Sequence, residues 1–157
     1  GLGTAEFIVK FLQDMSFSAS LVPAAVFLFG AFISFSTGSS WGTFAIMMPL
    51  AIPMAHAFGI PFYIAVGAVL SGGLFGDHCS PISDTTILSS TGAGCGLVEH
   101  IKTQLPYAAV NGTIAFIAYI IAGLTGSEAA LGFAVIALIV VMAVLNRISA
   151  ARLAGRE

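Results

Sequence analysis

Charge is what this chain has least of. Asp, Glu, Lys and Arg make up only 8% of its 157 residues, against roughly 25% in an ordinary soluble domain. Hydrophobic residues make up 58%, and the mean hydropathy is +1.04. So few charged side chains cannot clothe a water-facing globule, and the composition is that of a membrane protein. From Met15 to Gly76 no acid, Lys or Arg occurs, and the intervals Thr103 to Ser127 and Ala129 to Asn146 are equally bare. Each can supply a span or a buried hairpin, because roughly 20 helical residues at about 1.5 Å rise cross a 30 Å hydrocarbon core. Basic runs are missing too. With a net charge of -2 and only Arg147, Arg152 and Arg156 spaced along the C-terminal end, electrostatics gives no reason to expect nucleic acid as a partner. Cys79 and Cys95 show neither disulfide-framework nor zinc-ligand spacing, and both read as small buried residues. The opening Gly-Leu-Gly-Thr-Ala-Glu-Phe carries no initiator Met, basic region or cleavage site. It reads as an interior start, so a fragment is expected whose absent N-terminal half carries part of any site.

Against this apolar background one segment concentrates polarity. Gly76-Asp77-His78-Cys79-Ser80-Pro81-Ile82-Ser83-Asp84-Thr85-Thr86 holds two carboxylates, an imidazole and four hydroxyls between apolar stretches. Ionisable groups at membrane depth are costly and by default signal function.

The apolar pattern divides the chain into helices, giving an all-α, polytopic membrane protein. Residues 1–19 read as an interfacial arm helix, with Phe7, Ile8, Phe11, Leu12 and Met15 at helical spacing and Glu6, Lys10 and Asp14 on other faces. Residues 20–57 read as a re-entrant helical hairpin. Its apolar arms, Leu21 to Phe35 and Phe44 to Ala57, are each too short to cross comfortably and are joined by the hydroxyl- and Gly-rich tip Ser36 to Thr43. The competing reading is a kinked full span followed by a second span containing Pro49 and Pro53. Residues 60–97 read as a discontinuous transmembrane helix broken near Pro81, with Ser83 or Asp84 capping the half that resumes at Thr85. Residues 104–123 and 129–146 read as ordinary spans, and 147–157 as a tail that the positive-inside rule places in the cytoplasm. Two broken elements whose tips meet near the bilayer midplane are the arrangement of a secondary transporter, in which half-helix ends and freed oxygens hold a desolvated solute.

At those two tips the sequence resembles the NhaC-type sodium/proton antiporter family of the ion transporter superfamily. Phe35-Ser36-Thr37-Gly38-Ser39-Ser40-Trp41-Gly42-Thr43 and the Gly76 to Thr86 segment carry the likeness. It continues through Ser89 to Cys95 and His100 to Ala108 and covers most of residues 20 to 125. The resemblance implies exchange of sodium, or in some members an organic acid or amino acid, against protons on a scaffold of two inverted repeats, of which this chain is the second. It implies residence in the cell membrane, with the bilayer, the absent first half and a homodimer mate as partners. No cofactor is expected beyond the transported sodium and protons.

A sodium ion takes hard oxygen ligands. The oxygens on offer are those of Asp77, Asp84, Ser36, Thr37, Ser39, Ser40, Thr43, Ser80, Ser83, Thr85 and Thr86, with Asp77, Asp84, Ser39 and Ser83 the first candidates for the ion itself. Burial disfavours a charged carboxylate, so proton and cation compete for the same oxygens, which is a minimal exchange mechanism. For the tip hydroxyls the alternative is local capping of the half-helices. His78 either tunes the proton or hydrogen-bonds structurally, Asn111 either lines a cavity or bonds across helices, and Trp41 either seals the site or packs on a neighbour. Two other functions compete with exchange. An intramembrane protease is disfavoured because Asp77 and Asp84 flank one break rather than converge from separate elements, and Leu74-Phe75-Gly76-Asp77 does not complete a Gly-x-Gly-Asp pattern. A passive ion channel differs from an exchanger in lacking stoichiometric proton dependence.

Overall fold

Seven α-helices and one 3-10 turn make up the described residues, and no strand occurs among them. The fold is that of a computed structural model describing residues 3–154, with side chains through residue 147. Helix α1 spans Thr4–Asp14 and α2 spans Val22–Thr37, preceded by the turn Ala19–Leu21. Helices α3 to α7 span Ser40–Ala57, Phe62–Cys79, Asp84–Gly92, Leu97–Thr125 and Ala129–Ala154. Four segments are long and apolar enough to cross a membrane: Ala19–Thr37, Phe62–Cys79, Leu97–Thr125 and Ala129–Arg147.

Helix α4 is the hub, packing against α2, α3 and α6. The core it shares with α2 and α3 is built from Val22, Val26, Phe27, Met47, Ala51, Ala65, Ala68 and Val69, and the Phe27 ring stacks on Phe75 and Tyr119 at centroid distances of 5.9 and 5.6 Å. Between helices in lipid there is little hydrophobic gain, so close approach through small residues has to supply the attraction. Gly72 and Gly76, one turn apart on α4, do this against α2: a Cβ at Gly72 would collide with the Phe27 carbonyl, and one at Gly76 with the Ala31 carbonyl. The Ser34 hydroxyl donates to the Gly73 carbonyl across the same seam at 2.6 Å, fully buried.

Helix α1 lays Ile8, Val9 and Leu12 against the core and leaves Phe7 and Phe11 exposed. Helix α7 contacts α6, while Leu131, Phe133, Ile136, Ile139 and Val140 lie exposed along it, which suits a lipid-facing span.

Several boundaries differ from the sequence reading. The tip expected over Ser36 to Thr43 shrinks to Gly38 and Ser39, because the Ser36 and Thr37 hydroxyls donate to the Phe32 and Ile33 carbonyls at 2.8 and 2.9 Å and stay within α2. With those residues helical, the first arm is long enough to be a span in its own right. The span expected over 104–123 starts earlier, at Leu97, and the first turns of α6 carry an exposed Lys102–Glu99 pair at 3.9 Å. Helix α7 runs on through much of the expected tail, and of that tail residues 155–157 lie outside the described residues. Cys79 is buried as expected, but Cys95 is exposed, since it falls in the turn between α5 and α6.

Candidate functional site

Helix α4 ends because Pro81 cannot donate and disfavours helix at the residue before it; Ser80 is extended, at φ -76 and ψ 128. Four residues later α5 begins on Ser83, whose side chain caps the helix by accepting from the Thr85 N–H at 3.2 Å. The first break is tighter. Gly38 closes α2 in the left-handed region at φ 68, and Ser39 caps α3 by accepting from the Gly42 N–H at 3.2 Å. The two breaks touch each other. A Cβ on Gly38 would stand 2.9 Å from the Ile82 carbonyl oxygen, so only glycine satisfies both the backbone angle and the space.

Where the breaks meet lies the Asp77 carboxylate, 1% exposed. The Ser83 hydroxyl donates to its Oδ1 at 2.7 Å, and the Thr85 hydroxyl donates to Oδ2 at 3.1 Å. From α3, the Ser40 hydroxyl reaches Oδ2 at 3.5 Å. Among the described residues the Lys102–Glu99 contact is the one ion pair, so hydroxyl dipoles and the adjacent N-terminal end of α5 are what surround this acid. Carboxylate and hydroxyl oxygens are ligands that hard cations accept.

The other predicted site residues divide by position. Ser80 and Thr86 are buried beside the break; the Ser80 Oγ accepts from the Ile82 N–H at 3.4 Å, and the Thr86 hydroxyl has no hydrogen-bond partner among the described residues. Thr43 is buried, but its hydroxyl donates back to the Ser39 carbonyl at 2.9 Å. Ser36 and Thr37 are exposed and bonded to their own helix, and Ser39 is occupied as a cap. Asp84 lies exposed in the first turn of α5, and its carboxylate makes no hydrogen bond among the described residues. Trp41 is 82% exposed and meets the Phe44 ring edge-on at 5.8 Å.

On another face of α4 lies a cavity of about 500 Å³ between that helix and α6. His78 and Asn111, which the sequence could not place together, both line it, and the His78 Nδ1–H donates to the Leu74 carbonyl at 2.8 Å. Sequence reasoning missed Ser71 and Gln104 in its lining, the first paired with the Tyr119 hydroxyl at 2.8 Å and the second with its Oε1 buried without a partner among the described residues, and it missed Ser34, which bonds across the α2/α4 seam instead. Their one signal is a hydrogen-bonding side chain inside an apolar run, which is too common to single them out.

The family described as the Na+/H+ antiporter family matches residues 1–124. An uncharacterized protein of Haemophilus influenzae is 46% identical over 92% of this chain and 30% of its own length. The arginine/ornithine antiporter ArcD of Halobacterium salinarum is 33% identical over 78% of this chain and 25% of its own length. A malate-2H(+)/Na(+)-lactate antiporter of Bacillus subtilis is 35% identical over 55% of this chain and 18% of its own length. This chain therefore spans less than a third of the length of these relatives. No solved structure matches it. With the match running through α1 to α6 and both helix breaks, this chain belongs to the Na+/H+ antiporter family.

Proposed function

We propose that this chain is the part of a secondary exchanger in which sodium and protons occupy the Asp77 oxygens in turn. The observation that carries the reading is the buried Asp77 carboxylate, held by hydroxyls from two different helix starts and paired with no cation among the described residues. In the charged state the carboxylate and its hydroxyls offer oxygens to sodium, and in the neutral state a proton takes the ion's place. A bound sodium supplies the charge partner that the carboxylate otherwise lacks. Ser83, Thr85 and Ser40 supply first oxygens, with Ser80 and Thr86 behind them, while Asp84 draws cations toward the break from its exposed side.

In this reading α2 and α3 form a helical hairpin whose tip at Gly38 and Ser39 meets the break between α4 and α5 within the cell membrane. Arg147, Arg152 and Arg156 place the C-terminus in the cytoplasm. The rest of the polypeptide, present in the relatives, supplies the other wall of the site.

Exchange of a small organic acid or amino acid is the second reading, favoured by the names of the Halobacterium and Bacillus relatives. Proton-coupled flux in proteoliposomes of the full-length protein, comparing sodium, potassium, lithium, malate and lactate, separates the two. Sodium-driven proton movement that saturates supports the first. Movement with malate or lactate but none with sodium alone replaces it with the second, and ohmic, pH-indifferent conductance removes both.

A further inference from the structure

A second cavity, of about 350 Å³, lies between α4, α6 and α7 and meets the first end to end along the α4/α6 seam. On α4 the second is lined from within residues 63–71 and the first from within 71–78; on α6 the intervals are 115–122 and 104–115. Ser71 and Ala115 line both. One contact stands where the cavities meet: the Ser71 and Tyr119 hydroxyls share a hydrogen bond at 2.8 Å. Gly67 leaves room for the Tyr119 hydroxyl, since a Cβ there would stand 3.2 Å from it. Polar groups continue along the seam on either side of this pair. Ser127 and Glu128, in the turn between α6 and α7, line the second cavity, and His78 and Asn111 line the first. The exposed residues Ile136, Ile139 and Val140 of α7, by contrast, are plain hydrocarbon.

Lipid tails cannot satisfy such a row of donors and acceptors, and polar groups at membrane depth have to be covered by protein or line a water-filled space. We infer that the α4/α6 seam is a hydrated path, and that the Ser71–Tyr119 pair is the partition in it, closed in this structure. On one side of the partition lies the compartment at the α6/α7 turn, and on the other the compartment beside His78. What holds it shut is one hydrogen bond between side chains of two helices, a bond of small net worth that leaves an open form accessible. The path runs on a different face of α4 from the Asp77 carboxylate and reaches the residue that follows it in the chain. Its use by an exchanging proton or ion rests on the Asp77 reading; its existence does not.

The experiment is thiol labelling of the full-length protein, freed of Cys79, Cys95 and its other cysteines, with a membrane-impermeant methanethiosulfonate added to one side of sealed vesicles at a time. Ser127→Cys identifies the side on which the α6/α7 turn lies. Ala118→Cys, in the second cavity, reacts from that side, and Asn111→Cys, in the first, reacts from it slowly. Tyr119→Phe keeps the ring that stacks on Phe27 and removes the bond. The Asn111→Cys rate from that side then rises by about two- to tenfold, the range that one hydrogen bond sets on an open-to-closed ratio. Ser71→Ala has the same effect, and neither substitution alters the Ala118→Cys rate. An Ala118→Cys protein that reacts from neither side would overturn the inference, because lipid or the rest of the polypeptide then fills the seam. So would an Asn111→Cys rate indifferent to both Tyr119→Phe and Ser71→Ala. Sodium-driven proton flux through the unlabelled protein is read separately. The labelling pattern without flux upholds the path and removes the Asp77 reading, and flux without the pattern does the reverse.

Discussion

The Ser83 hydroxyl lies 2.7 Å from Asp77 Oδ1 and at the same time caps α5 through the Thr85 N–H at 3.2 Å. One side chain thus ends the helix break and holds the acid at the end of α4. Any change at Ser83 acts on the fold and the site together, and that coupling shapes the first prediction.

Ser83→Ala removes a cap, about 1 kcal/mol, and a hydrogen bond to a carboxylate, about 1.5–3 kcal/mol. The folded full-length protein should lose about 2.5–4 kcal/mol by these two effects, and exchange should fall at any sodium concentration. Ser83→Thr keeps both hydroxyl roles and should retain most of each. Denaturation midpoints in detergent, read beside proteoliposome flux, test the pair; a Ser83→Ala protein of unchanged midpoint would contradict the double role.

Asp77→Asn keeps the shape of the side chain and discards its charge. Exchange should drop to the level of empty vesicles while the protein still inserts. Asp84, exposed in the first turn of α5, contributes about 0.3–1 kcal/mol as a charge near a helix N-terminus, and Asp84→Asn should leave measurable sodium-driven proton movement. Flux assays on both variants at matched expression decide it, and the reverse order of severity would move the ion to Asp84.

Helical glycines separate into those that must be glycine and those that need not be. Gly72→Ala and Gly76→Ala place a methyl into the Phe27 and Ala31 carbonyls, and overpacking of this kind costs about 1–3 kcal/mol. Gly132→Ala on α7 meets nothing within 4 Å and should be neutral or stabilise by up to about 0.5–1 kcal/mol, the helical cost of glycine. Comparing the three denaturation midpoints checks the seam between α2 and α4.

Gly38→Ala tests the contact between the two breaks. The substitution is strained by its φ of 68° and crowded by the Ile82 carbonyl. It should impair exchange more than Gly94→Ala does, since Gly94 shares a positive φ of 65° but has open space around it. Equal effects would mean that backbone strain alone matters and that the junction of the breaks does not.

The sequence by itself determined a good deal. Scarcity of charge fixed the membrane setting, apolar runs fixed an all-helical chain, and Pro81 with Ser83 fixed the break after α4, because a missing donor and a capping hydroxyl act within a few residues of themselves. The extent of the Ser36 to Thr43 tip was not legible in the same way. A serine or threonine hydroxyl can cap a helix or bond back to its own turn, and Ser36 and Thr37 take the second course. Tertiary structure alone decided that Asp77 is buried while Asp84, seven positions on, is exposed. It also decided that Ser40 of α3 reaches the same carboxylate and that His78, Gln104 and Asn111 share a cavity. These depend on how α2, α4 and α6 close against one another. That approach is set by glycine contacts with distant backbone carbonyls, which no local pattern in the chain can express.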